Sequence, residues 1–204
     1  MHDVALDACC LINLCAAGRI LGGESSLASP RRRGRRGAAA SPKPAVGLGL
    51  NLHVPRKVAE ETLYILQPDP DDASKLVKVP IDLGHYIAGG LLYECDLEGP
   101  EVAELFVQMA AQLGDGEAAS FAIAAKRGWA LATDDRRARR FAADANLTVI
   151  TTPELVKLWA ENAQANDEEI AGVLRNIQRF AYFTPRPNTP EYAWWVDCLG
   201  KSQK

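Results

Sequence analysis

Residues 114–150 read GDGEAASFAIAAKRGWALATDDRRARRFAADANLTVI, and this stretch decides the fold. Glu117 to Lys126 predicts a small-residue helix after the turn Gly114-Asp115-Gly116, with Ala119, Phe121 and Ile123 for packing and Gly128 as its stop. Trp129 to Thr133 is apolar, short and bounded by Asp134-Asp135, as expected of a buried strand. Arg136 to Ala145 resumes helical character, and Leu147 to Ile150 predicts one more strand. Helix, strand, helix and strand in such short order predict crossover connections and a parallel sheet.

The same alternation extends outward in both directions. Val4-Ala5-Leu6 predicts a first strand ending at Asp7. Leu11 to Ile20 predicts a helix stopped by Gly22-Gly23, and Leu52-His53-Val54 a second strand. Pro55 opens a predicted helix in which Val58, Thr62, Ile65 and Leu66 keep helical spacing up to Pro68. Leu76 to Ile81 is expected at a sheet edge, because Pro80 cannot donate to a ladder. Val102, Leu105, Phe106, Met109 and Leu113 mark another helix. Helices at about 153–163 and 167–182 precede a Pro-rich tail ending in Trp194-Trp195. The expectation is an α/β domain over residues 1–160, with 161–204 as a C-terminal helix and Pro/Trp-rich tail.

Composition agrees with a folded core and removes whole classes of function. The 204 residues are 48% hydrophobic and 24% charged, with net charge −3, so the chain as a whole is not a basic nucleic-acid binder. Residues 22–45 hold six basic residues against Glu24 alone, a net +5 that leaves −8 on the rest. This Arg-rich segment has few large apolar residues and reads as a disordered insert. Its five arginines fit RNA phosphates or a solvated linker about equally well. Five cysteines without a CxxC pair read as buried thiols of a reducing compartment, not a disulfide framework. Asp3 and Asp7 flank the N-terminal apolar run with no Lys or Arg, the wrong charge for a signal peptide, and no run spans a bilayer. The expected location is cytoplasmic, with no membrane contact.

Acidic residues recur at comparable places in the alternation. Asp7 ends strand one, Glu61 lies in the helix after strand two, Glu117 opens a helix, and Asp134-Asp135 close a strand. Ligands of open parallel sheets bind outside the carboxyl ends of the strands, so parallel order would gather these side chains. Gathered carboxylates repel, and a hard divalent cation keeps them ionised. Oxygen ligation selects Mg²⁺ or Mn²⁺, and the His and Cys positions show no zinc spacing. Such a centre suits phosphodiester hydrolysis. Taken singly, each acid except Asp7 is explained as readily by capping or solvation.

The segments VALDACCLINL, HVPRKVAEE, LGDGEAASFAIAAKRGWALATDDRRARRFA and LTVITTPELV together resemble a PIN-domain ribonuclease, nearest to VapC-like toxins with a GEAxAxxxA…DDxxAR signature. The resemblance implies a three-layer sandwich with a central, mainly parallel sheet, and a Mg²⁺- or Mn²⁺-dependent endoribonuclease, the toxin of a type II toxin–antitoxin pair. It implies Asp7 as the first metal-binding acid, Glu61 (with Glu60 as alternative) as the second, Glu117 as the third, and Asp135 as the fourth with Asp134 beside it. Asn13 takes a supporting place, and Arg136 and Arg139 hold the scissile strand. RNA and a neutralising antitoxin are the implied partners, a homodimer being left open. The sequence departs from the family at Ala8-Cys9-Cys10, where small hydroxyl or amide residues are usual, so a hydrogen bond to the first acid is expected to be weak or missing. That departure supports the alternative of a non-catalytic PIN-like module binding RNA or protein. A phosphatase of the dehalogenase type is disfavoured, because Cys9 stands where its second Asp belongs. The three histidines lack triad partners, and the tail tryptophans are expected to dock on the core or a partner.

Overall fold

In the computed structural model, which describes residues 2–21 and 48–201, five parallel strands form the central sheet. They are β1 (His2–Leu6), β2 (Leu50–Pro55), β5 (Tyr93–Cys95), β6 (Ala130–Ala132) and β7 (Val149–Ile150), in the order β5-β2-β1-β6-β7. The helices are α1 (Ala8–Ala17), α2 (Arg56–Ala59), α3 (Leu83–Ala88), α4 (Pro100–Ala110), α5 (Asp115–Arg127), α6 (Arg136–Asp144), α7 (Thr152–Ala163), α8 (Asp167–Phe180) and α9 (Tyr192–Lys201). A separate antiparallel hairpin pairs β3 (Tyr64–Pro68) with β4 (Leu76–Pro80).

The three layers follow from the two-residue period of β1. Val4 and Leu6 point to one face and join Leu11, Leu14, Leu155, Val156, Leu174 and Ile177, which come from α1, α7 and α8. Ala5 points to the other face, where α4, α5 and α6 pack through Val102, Met109, Ala118, Ala122 and Ala138. The alanines of α5 let it lie close to the sheet. Ser120 on α5 is fully buried, and its hydroxyl lies 2.9 Å from the carbonyls of Leu6 and Gly116. That hydroxyl ties the start of α5 to the carboxyl end of β1. Ser120→Ala is expected to lower stability by about 1 kcal/mol, read from a denaturant midpoint at constant slope.

Register places the functional edge. Leu6 is level with Ala132, and Ala132 with Ile150, so Asp7, Thr133 and Thr151 emerge side by side. The ladder closes with Asp7 N–H on the Ala132 carbonyl and Thr133 N–H on the Ile150 carbonyl, both at 3.1 Å.

Several local expectations are corrected. The helix read from Pro55 to Pro68 stops at Ala59, and Tyr64–Pro68 is strand β3. Ile65 and Leu66 fit either period. The partner strand Leu76–Pro80 supplies a ladder that buries both against the core, whereas Glu60 and Glu61 place like charges where the helix would continue. α1 ends at Gly18, not Gly22, since Gly18 takes the left-handed conformation (φ 76°) that caps a helix and Gly alone adopts freely. α3 and β5 carry too little periodicity to have been read. The tail after Pro190 forms α9, with Trp195 completely buried. α8 and α9 share the core of β1 and α1, and the boundary read at residue 160 falls inside α7. The insert read at 22–45 lies outside the described residues. No helix among those described is long and apolar enough to cross a membrane.

Candidate functional site

Asp7 begins the site because it ends β1 and caps α1 at once. Its Oδ1 accepts the Cys10 N–H at 2.9 Å, the bond expected of an N-cap carboxylate. The residue is only 1% exposed, and burial pushes its carboxyl up to about 6, against hydrogen bonds that favour the ion. The Cys9 thiol lies 3.0 and 3.2 Å from the two oxygens and donates there. The donor expected to be missing beside the first acid is therefore supplied by sulfur, a weaker donor than a hydroxyl. Cys10 and Cys9 join Asp7 in a group whose ligand atoms lie within 4.8 Å of one another. The two thiols, read from the sequence as buried groups without zinc spacing, are part of this group.

Asp134, at the end of β6, is held more firmly. Its Oδ1 accepts the Thr152 N–H at 3.0 Å. Its Oδ2 accepts from Thr152 Oγ1, from Asn13 Nδ2 at 3.2 Å and from the Cys10 thiol at 3.4 Å. Asn13 also donates to Thr152 Oγ1 at 3.0 Å, so its contacts are with Asp134 and Thr152. Burial raises the Asp134 carboxyl above the ordinary range despite these donors.

Asp135 faces the cleft beside it and caps α6, its Oδ1 accepting N–H groups of Arg137 and Ala138 at 2.7 and 2.8 Å. Glu117 stands at the third position of α5, where its Oε2 accepts the Gly114 N–H at 3.3 Å, the one half of a capping box that an N-cap glycine allows. Burial and then the charge of Asp135 raise the Glu117 carboxyl, while Arg137 opposes them. Glu61 continues the chain of repulsion, raised by burial and then by Glu117 and Asp115. It packs against Gly116, where a Cβ would collide with the Glu61 carboxylate and press on Val58. Glu60 turns instead to Lys57, an exposed ion pair at 3.3 Å.

One cleft of about 330 Å³ collects Cys9, Glu117, Asp134, Asp135 and Arg139. Asp7 and Glu61 do not line it, but Asp7 meets Cys9, which does, and Glu61 feels the charge of Glu117. Arg136 is exposed and does not line the cleft. None of the five site carboxylates makes an ion pair among the described residues, and Arg137 only partly offsets the repulsion on Glu117. An oxygen-rich, mutually repelling set of this kind fits a hard divalent cation.

Thr133, Thr152 and Ser120 are site-building residues that sequence reasoning missed. Thr133 is fully buried, hydrogen-bonds Asp7 and accepts the Asp135 N–H at 3.1 Å. The rule that picked Asp7 and Asp134, polar residues at the carboxyl ends of strands, also selects Thr133 and the Thr151-Thr152 pair after β7.

A family model described as a PIN domain matches residues 50–187, which takes in Glu61, Glu117, Asp134 and Asp135 and leaves β1 and Asp7 outside the matched span. No curated protein and no solved structure matches the chain.

Proposed function

The chain belongs to the PIN-domain family, and from that premise we propose that it is a divalent-metal-dependent endoribonuclease that hydrolyses RNA phosphodiester bonds in the cleft around Asp7, Glu117, Asp134 and Asp135. The observation that carries this reading is the gathering of those carboxylates at the sheet's carboxyl edge without a protein cation paired to them. A bound Mg²⁺ or Mn²⁺ would supply an activated water and offset charge on the leaving oxygen.

The hydrogen bonds divide the labour among the acids. Both oxygens of Asp134 are engaged by protein donors, so Asp134 fixes the end of β6 and adds charge. Glu117 and Asp135 each give one oxygen to a cap and keep the other for the cleft. These two would hold the ion, and Asp7 would join them where the Cys9 thiol, a weak donor, gives way. Glu117 in turn raises the proton affinity of Glu61, and Arg139 stands where it can hold the scissile strand.

Incubation with an RNA mixture is expected to give cleavage with Mn²⁺ and none with EDTA. Glu117→Gln is expected to lower the rate at least about a hundred-fold, roughly 3 kcal/mol of transition-state stabilisation, with the melt retained. Equal cleavage by the folded variant would remove Glu117 from the centre.

The narrower reading, a type II toxin restrained by an antitoxin, rests on the resemblance of GEAAS…DDRRAR to VapC-like proteins. An antitoxin would present an Arg to the carboxylates, a guanidinium being suited to bidentate pairing with them. Growth arrest on overexpression, and co-purification of a small partner from the native host, test it. Harmless overexpression of the active protein would point to a housekeeping nuclease.

A further inference from the structure

The segment joining α8 to α9 walls the same cleft as the carboxylates. Phe183, Thr184, Pro185, Arg186, Thr189 and Glu191 all line it. This strap is fastened along its length. The Phe183 N–H reaches the Ile177 carbonyl at 3.5 Å, and Gln178 Nε2 donates to Thr184 Oγ1 at 3.2 Å. Pro185 is buried, and the Phe183 ring meets buried Trp195 edge-on at 5.8 Å. Beyond it the Arg186 carbonyl accepts both the N–H and the hydroxyl of Thr189, at 3.0 and 2.8 Å, in a tight turn that leaves the Arg186 side chain exposed.

Two cations therefore face this cleft, Arg139 from α6 and Arg186 from the strap. Neither makes an ion pair among the described residues, although Glu117, Asp134, Asp135 and Glu191 line the same space. The Nε of Arg139 is buried with no hydrogen-bond partner, an arrangement that costs free energy unless something else meets the guanidinium. Cations that line a cleft with carboxylates yet pair with none of them suit a polyanion laid along it. Guanidinium groups suit phosphate oxygens in particular. The Phe183 ring in the same wall offers a face to a base, and base–aromatic stacking is the usual grip on unpaired strands. At about 330 Å³ the cleft sits near the lower end of ligand pockets, about 300–1,000 Å³, which admits one nucleotide unit and not a base-paired stem.

We propose that the strap 183–191 is part of the substrate site and selects unpaired RNA, with Arg186 and Arg139 on backbone phosphates flanking the scissile bond and Phe183 against a base. This rests on the nuclease reading of the carboxylate centre and adds the strand type and the residues that choose it.

The test measures binding separately from cleavage. Fluorescence anisotropy with Ca²⁺ in place of Mn²⁺ compares an unstructured oligoribonucleotide with the same sequence closed into a hairpin stem, using the full chain. Wild type is expected to prefer the unpaired strand. Arg186→Gln is expected to weaken that binding about ten-fold and to flatten the slope of log affinity against log salt by about 0.7, one phosphate contact on a single strand. Phe183→Leu is expected to weaken it about ten-fold with the slope unchanged, since stacking releases no counterions. Melting curves confirm that both variants fold. If wild type binds the unpaired strand and Arg186→Gln matches it in affinity and slope, the strap is not a substrate site, while the nuclease reading stands. Equal affinity of wild type for strand and stem overturns the selectivity. If wild type binds neither RNA and cleaves none with Mn²⁺, the nuclease reading itself falls and takes this proposal with it.

Discussion

Asp7→Asn is expected to abolish metal-dependent RNA cleavage and, in the same protein without metal, to raise thermal stability at neutral pH. The two effects have one cause. Burial lifts the Asp7 carboxyl from the ordinary 3.8 to about 6, more than the donors from Cys10, Cys9 and Thr133 can offset, and Asp134 adds repulsion. A carboxyl whose value is raised on folding binds its proton more tightly in the native state than in the unfolded chain. Its contribution is therefore favourable below about pH 4 and is lost as pH rises through about 6. Two pH units correspond to about 3 kcal/mol, an upper figure for what a neutral amide recovers at pH 7. Asparagine keeps the N-cap bond from the Cys10 N–H, so α1 is not uncapped by the change. Melting both proteins in EDTA from pH 4 to pH 8 checks this. The curves should meet at the acid end, diverge between about pH 4 and 6 and stay apart above that, the variant higher by several degrees. A variant that melts below wild type at pH 7 would show that ionised Asp7 is satisfied within the fold. Added Mn²⁺ should raise the wild-type melt by mass action and leave the variant's less changed.

The gathering of the acids was more legible than the elements around them, for a physical reason. Carboxylates at strand ends are marked by abrupt polarity after short apolar runs, and Leu6-Asp7 and Thr133-Asp134 carry that mark whatever surrounds them. Parallel register then aligns them without any need to know the helices. β3 was misread because Ile65-Leu66 satisfies a helical and a strand period equally, and the partners Val79 and Lys78 on the next strand decide between them. β5 is three residues long and gains its identity from pairing with His53 to Pro55. The role of Cys9 was hidden by chemical habit. A thiol reads as a small apolar group until its sulfur is placed against both oxygens of Asp7. The strap was invisible because a Pro-rich segment has no period, and what makes it a wall is an anchor farther along the chain.

That anchor gives the second large effect. Trp195→Ala is expected to lower stability by about 3–5 kcal/mol, since a completely buried indole leaves a cavity that its neighbours cannot fill. For a chain of this length that is a fall in melting temperature on the order of 10 °C. Trp195→Phe should cost much less. The phenyl ring keeps most of the packing against Phe183, and it removes an indole N–H that is buried without a hydrogen-bond partner. The pair of variants separates apolar anchoring from polar recognition at this position. Below its lowered melt, Trp195→Ala should still hold Asp7, Glu117, Asp134 and Asp135 in place, because β1, β6 and α5 do not depend on α9 for their pairing. It should nonetheless cleave unpaired RNA more slowly, since Phe183 loses the ring that fixes it at the cleft. Thermal melts of the three proteins with cleavage rates measured well below each transition decide the matter. An alanine variant that melts within a degree or two of wild type would mean α9 is not docked in solution, and the strap would then have nothing to hold it.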